Sequence, residues 1–193
     1  MVAILNAEIL SHVRMTIDEY LSADLPEGFR YELVKGVVEM SPIPDIPHDR
    51  VVNKLNRWLV LYAEQRPDVV GYLSQRFAVA VSTRETAREP DFGVYRPADS
   101  PLQPGRKWRD VVPMLVIEVV SLGQEPRDYK DKRQDYWDAG VGEYWIADPQ
   151  RKTLTVLARH RLDWAEQVFA ASDTYQPAIL PGLEILVDAL FQV

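Results

Sequence analysis

The chain contains no cysteine. That absence excludes a disulfide framework, a zinc-thiolate site and a cysteine nucleophile, and it fits a reducing cytoplasm. No stretch reaches the ~18 to 20 apolar residues of a membrane span. The opening Met1-Val2-Ala3-Ile4-Leu5-Asn6-Ala7-Glu8-Ile9-Leu10 is apolar, but it has no basic start and acquires Asn6 and Glu8 before a secretory core could form. The sequence therefore reads as soluble and cytoplasmic. It has no internal repeat and no low-complexity tract. An excess of positive charge is missing too. The formal net charge of -7 argues against a protein that coats nucleic acid by charge alone, and leaves room for a local basic rim. Candidate rim segments are Arg106-Lys107-Trp108-Arg109 and Arg159-His160-Arg161, although short clusters of this kind are more often solvated loop residues.

What is present is 193 residues, 47% of them hydrophobic, enough to fill the core of one domain spanning 1–193. Thr16-Ile17-Asp18-Glu19 is a capping-box pattern that starts a short helix running to about Ala23. Tyr31-Glu32-Leu33-Val34, Lys35-Gly36 and Val37-Val38-Glu39-Met40 read as a hairpin, with Gly36 supplying positive φ at the turn. A proline-broken loop, Ser41 to Pro47, follows. From His48 to Gln65, Val51, Val52, Leu55, Leu59 and Tyr62 recur at helical spacing, which predicts an amphipathic helix packed on a sheet. Gly71 to Val81 is strand-like, and Ser82 to Glu89 reads as a charged loop. After two acid-bearing strands, discussed next, Asp128 to Ala139 is a second helix closed by Gly140. Glu143 to Ala147 and Thr153 to Leu157 are further strands. The tail from Phe169 holds one more strand and a closing segment, Pro181 to Val187. The order of elements predicts an α/β (α+β) fold, a mixed β-sheet flanked by helices.

Asp91 and Glu118 are the residues on which the chemistry turns. Each sits in a strand-like run, Pro90-Asp91-Phe92-Gly93-Val94-Tyr95 and Leu115-Val116-Ile117-Glu118-Val119-Val120. A charged carboxylate inside an aliphatic run costs several kcal/mol if unpaired, so Glu118 needs a cation, a proton or a set of donors. If the two runs are neighbouring antiparallel strands, the start of the first lies beside the end of the second and the acids meet, which makes a divalent-cation site. In the second helix Asp128, Lys132 and Tyr136 share one face at i, i+4 and i+8, which places Lys132 near Glu118. The long link between the two strands contains Pro97, Pro101, Pro104 and Gly105, which exclude a regular element.

At this point the residues resemble a known family. Tyr31-Glu32-Leu33-Val34 with Gly36, His48 opening a helix, Glu89-Pro90-Asp91, Val116-Ile117-Glu118-Val119 with Ser121, Asp128 with Lys132 and Tyr136, and Ala139-Gly140-Val141 with Glu143-Tyr144-Trp145 are together similar to the Uma-type restriction endonuclease family of the PD-(D/E)XK nuclease superfamily. The likeness extends to Pro181-Gly182-Leu183. It implies a restriction-endonuclease-like core, ordered helix, three strands, helix, strand, with Mg²⁺ (or Mn²⁺) held by Asp91 and Glu118. The superfamily's usual lysine, two residues after the glutamate, is Val120 here, and the resemblance implies that Lys132 replaces it. Such a site hydrolyses DNA phosphodiesters, with a metal-bound water as nucleophile and Lys132 neutralising charge on the phosphoryl oxygens. Glu32 completes the site as a third acid or an outer partner of a metal-bound water. A homodimer would supply one such site per strand.

Each residue also has a plainer reading. Asp91 caps a turn after Pro90, Glu118 pairs with Lys132 without a metal, and Lys132 lies on a solvated helix face. His48 caps or packs its helix, Asp128 is an N-cap, and Tyr136, Trp137 and Trp145 are core or edge aromatics. A nuclease-like fold acting as a binding or regulatory module is the second reading of function. A glycosidase acid pair, which needs carboxyls ~5 to 9.5 Å apart around a sugar cleft, has no further support in the sequence.

Overall fold

The computed structural model describes residues 12–41, 44–75 and 77–192. The opening apolar run Met1 to Leu10, with Pro42 and Ile43 of the proline-broken loop, lies outside the described residues.

Thr16 caps helix α1, Ile17–Ser22, with both halves of the capping box formed. Strands β1, Arg30–Val34, and β2, Val37–Ser41, are joined by Lys35 and Gly36, both at positive φ (52° and 75°), the backbone a two-residue hairpin of this hand requires. Helix α2, Ile46–Gln65, starts two residues earlier than its apolar periodicity indicates. Asp45 is the cap, its side chain accepting from the His48 N–H, and Pro47 is tolerated because a first-turn N–H has no partner to lose.

The segment Gly71 to Val81 divides into two strands in different sheets: β3, Tyr72–Ser74, and β4, Val79–Val81. Ser82 to Glu89 is not a loop. It forms a 3₁₀ turn and then a fully buried strand β5, Thr86–Arg88. Its charged residues conceal it because Arg88 is neutralised inside the protein. Strands β6, Phe92–Tyr95, and β7, Leu115–Val119, follow, separated by a link with only short 3₁₀ turns. A π-helical turn, Arg127–Asp131, leads into α3, Lys132–Ala139, which Gly140 closes at φ 91°. Strands β8, Glu143–Asp148, and β9, Thr153–Arg159, come next. An additional strand, β10, Trp164–Phe169, lies at the sheet edge; its middle is exposed and polar, so it carries little apolar signal. The tail forms a two-residue pair, β11, Thr174–Tyr175, with β12, Ile185–Leu186, and a closing helix α4, Val187–Phe191.

Two main sheets result. The larger runs β10-β9-β8-β7-β6-β3, antiparallel except for the parallel pair β7–β8, which the α3 crossover joins. The smaller runs β2-β1-β5-β4. Strand β7 is buried on both faces, which is why its sequence is a continuous apolar run. Leu115, Ile117 and Val119 pack with Val51, Leu55 and Leu59 of α2 on one side. Val116 and Val120 pack with Tyr136 of α3 on the other. A third cluster, with Ile17, Tyr20, Leu33 and Val38, seats α1 on the small sheet. The order α2, β3, β6, β7, α3, β8 in and around the large sheet is the core order expected from the sequence. No helix among the described residues is long and apolar enough to cross a membrane.

Gly71 fixes the start of β3. Its N–H donates to the Tyr95 carbonyl at 2.8 Å, and a Cβ there would lie 2.4 Å from Cα of Pro97. Backbone cannot move aside as a flexible side chain can. Gly71→Ala is therefore expected to lower unfolding stability by about 1–3 kcal/mol, the scale of overpacking. Urea denaturation of the two proteins checks this, and equal midpoints would contradict the close approach.

Candidate active site

The β6–β7 pairing sets Phe92 opposite Ile117. Continuing that antiparallel register by one step places Asp91 opposite Glu118, so the sequence-based juxtaposition is present. Asp91 lies just ahead of β6 and is fully engaged. Its Oδ1 accepts from Arg30 Nη1 at 2.9 Å, and its Oδ2 accepts from the Val119 N–H at 2.8 Å and meets His48 Nε2 at 3.1 Å. Burial pushes its pKa up, but the His48 hydrogen bond, the Arg30 charge and the Val119 N–H outweigh it and hold it at about 2. Asp91 is thus more than a turn cap. His48 is also more than a helix cap: its ring is buried against Asp91, and its Nδ1 has no hydrogen-bond partner among the described residues.

Glu118 faces the opposite balance. Its Oε1 accepts from the Tyr136 hydroxyl at 2.5 Å and from Lys132 Nζ at 2.9 Å. Burial, with the charges of Asp128, Asp91 and Glu32, overcomes the attraction of Lys132 and raises its pKa to about 8. Lys132 is not on a solvated face. Its Nζ also lies 3.0 Å from Asp128 Oδ1 and 3.6 Å from Glu32 Oε1. Burial works against its charge, and these carboxylates reverse that and keep it cationic. The preceding π turn has a structural consequence. The Lys132 N–H bonds to the Arg127 carbonyl five residues back, so both side chains come over Glu32.

Glu32 ties the small sheet to this site. Its Oε2 accepts from Arg88 Nη1 at 2.8 Å and Arg127 Nη2 at 2.6 Å, and its Oε1 from the Glu89 N–H at 3.3 Å. Its burial would raise its pKa, but Lys132, Arg88 and Arg127 together hold it at about 2. Arg88 also grips Asp135 of α3 through Nε at 2.8 Å and Nη2 at 2.7 Å.

Of the positions named from the sequence, Glu32, Glu118 and Lys132 are therefore linked through these interactions, while Asp91 stands opposite Glu118 in the strand register and is held by its own partners, Arg30 and His48. Asp128 joins them through Lys132, and Tyr136 by donating to Glu118. Trp137 and Trp145 are packing residues. Arg30, Arg88 and Arg127 carry no signal in the sequence, because their partners lie 47 to 95 residues away along the chain. Neither predicted rim segment supplies these cations. Arg109 is bound to Asp18, while Arg159 lies over Trp137 and donates to the Val141 and Trp137 carbonyls.

The donors suit a hard cation. They are carboxylate oxygens, and five buried carboxylates (Glu32, Asp91, Glu118, Asp128, Asp135) meet the cations Arg30, Arg84, Arg88, Arg127 and Lys132. Among the described residues no group of three or more His, Asp or Glu could hold a metal. Mg²⁺ does not need one, since it keeps several waters and binds through one or two carboxylates and substrate phosphate. Glu32 lines a cleft of about 250 Å³, with Arg30, Arg127, Ser41 and Ser121 in its walls, and Asp91 borders a second pocket that shares Arg30 with it.

The Uma2 family model, described as "Putative restriction endonuclease", matches residues 17–188. The chain belongs to this family. Among solved structures it is similar to one described as a putative nuclease belonging to DUF820 from Anabaena variabilis ATCC 29413, with 17% identity and a TM-score of 0.75, covering 92% of this chain and 97% of that one. At that identity the likeness shows the fold, which is restriction-endonuclease-like. No curated protein matches the chain. The Uma2 match takes in both sheets and Glu32, Asp91, Glu118 and Lys132.

Removing Arg88 would leave Glu32 and Asp135 buried and short of a partner. Arg88→Met is expected to cost about 3–5 kcal/mol at neutral pH, the scale of breaking a buried pair from one side. The sign with pH follows from Glu32. Its folded pKa is depressed, so its contribution is present above its unfolded value near 4.5 and is lost as pH falls toward 2. The gap between parent and variant should therefore narrow over that window. Urea unfolding at pH 7 and pH 3 measures it, and a gap that is small at pH 7 or widens in acid would contradict the pairing.

Proposed function

We propose that this Uma2 protein is a metal-dependent endonuclease that hydrolyses DNA phosphodiester bonds at Asp91 and Glu118. The observation that carries this reading is the approach of Lys132 Nζ to Glu118 at 2.9 Å, opposite an ionised Asp91 on the neighbouring strand. Asp91 and Glu118 would hold Mg²⁺ or Mn²⁺. The ion supplies Lewis-acid polarisation of the phosphoryl group and a water of lowered pKa.

The chain's own residues do the rest. Arg30 and His48 fix the Asp91 carboxylate in its ionised form. Tyr136 orients Glu118. Lys132, kept cationic by three carboxylates, is placed to neutralise charge on the phosphoryl oxygens as water adds. Arg127, at the cleft wall, would add positive charge beside that phosphate, its terminal nitrogens held by Ser41, Glu32 and Glu39. Glu32 sets the positions of Lys132 and Arg127 and acts through them. Cutting both strands would take two such sites, which a homodimer supplies.

One observation favours the second reading, a binding or regulatory module. Val120 fills the usual lysine position and is packed in the core, so the ammonium arrives only from α3. Turnover decides between them. With Mg²⁺ or Mn²⁺, the parent should cleave DNA, Asp91→Asn should abolish cleavage, and Lys132→Ala should slow it by roughly 10² to 10³, the scale for losing one preorganised charge stabiliser. Absence of Asp91-dependent cleavage under any divalent cation would transfer the protein to the binding reading.

A further inference from the structure

Next to the cleft lies a larger groove of about 810 Å³ that the chemistry above does not use. Arg127 and Gln124 line both, so the two are continuous. Six cations border the groove: Arg14, Lys35, Arg84, Arg88, Arg127 and Lys130. Three of them are committed. Arg88 holds Glu32 and Asp135, Arg84 holds Asp135 and Asp138, and Arg127 holds Glu32 and Glu39. The other three are exposed, and among the described residues Arg14, Lys35 and Lys130 have no ion pair. Against them stands Asp131, an exposed carboxylate with no ion pair among the described residues. Once internal pairs are set aside, the groove is locally positive on a chain whose net charge is -7.

That reversal has a physical consequence. A negative surface repels phosphates, so a polyanion is drawn to the place where the sign changes, and a concave wall strengthens the field there. The uncommitted cations come from separate elements: Lys35 from the β1–β2 turn, Lys130 from the π turn, and Arg14 from the segment bridged to Val37. They line the groove that shares Arg127 and Gln124 with the cleft.

We propose that this groove holds the phosphodiester backbone of the DNA flanking the reacting phosphate. The inference rests on the nuclease reading for its substrate, and it adds which side of the cleft the strand leaves by and which residues track it. Lys35, Lys130 and Arg14 bind successive phosphates along the groove, and Arg127 is the junction between backbone binding and the reacting group. Interactions of this kind position the substrate and carry no sequence information.

The test compares two doubly charge-reversed proteins with equal net charge. K35E/K130E changes the groove. K152E/R161E changes exposed residues in the β8–β9 and β9–β10 turns, and Lys152, like Lys35, occupies a turn position at positive φ (53° against 52°), so backbone strain is matched. Binding of a fluorescent DNA duplex is titrated in Ca²⁺ across a series of salt concentrations. The groove predicts that K35E/K130E weakens binding at low salt by roughly 10-fold or more and flattens the slope of log affinity against log salt by about 2, near 0.9 for each phosphate that is no longer neutralised. K152E/R161E should stay within about threefold of the parent. Binding by K35E/K130E equal to the parent's, or an equal loss in both variants, would overturn the proposal. Failure of the nuclease reading appears separately, as no Asp91-dependent cleavage by the parent, and leaves the binding comparison readable.

Discussion

The burial of five carboxylates close together is the constraint on which this structure depends. Removing charge from water is tolerable only when partners and hydrogen bonds replace the solvent. Here Arg88 and Lys132 are the two partners that are themselves buried. Arg88 joins β5 to β1 through Glu32 and to α3 through Asp135, so one guanidinium fastens the small sheet to the crossover helix. Lys132 joins α3 to β7 through Glu118 and again to β1 through Glu32. The clamp between the two sheets and the candidate active site are therefore one network.

The network also explains the local irregularities. A regular helix from Arg127 onward would not stack Arg127 and Lys132 five residues apart; the π turn does, and both reach Glu32. The departure from regular helix is offset by charge-assisted hydrogen bonds, the strong class. The two acids proposed as metal ligands are held in contrasting electrostatic states. Asp91 is surrounded by donors and stays ionised, while Glu118 lies among other acids and is driven toward its protonated form. A divalent cation between them would take the place of that proton.

Much of this is legible in the sequence where the signal is local. The β6 and β7 runs are recognisable because fully buried strands are continuous in apolar residues, and the register of an antiparallel pair then brings Asp91 to Glu118. Lys132 follows from the helical period, since i and i+4 share a face. The hairpin at Lys35-Gly36 and the cap at Thr16 carry their own turn chemistry. What is hidden depends on distant pairing. Strand β5 is concealed because Arg88 looks solvent-loving until Glu32 and Asp135, far along the chain, arrive to neutralise it. Arg30 and Arg127 escape for the same reason, and the change of sheet between β3 and β4 is set by their partners β6 and β5, which no period-two pattern encodes.

The most direct test of the account is a crystal structure of the protein soaked in Mn²⁺, with the ion located by its anomalous scattering. The account predicts an ion bound by carboxylate oxygens of both Asp91 and Glu118, at the ~2.0 to 2.6 Å typical of oxygen ligands to hard cations. Lys132 should remain alongside Glu118. An anomalous map with no ion between these two acids, or with Mn²⁺ bound only elsewhere on the protein, would contradict it.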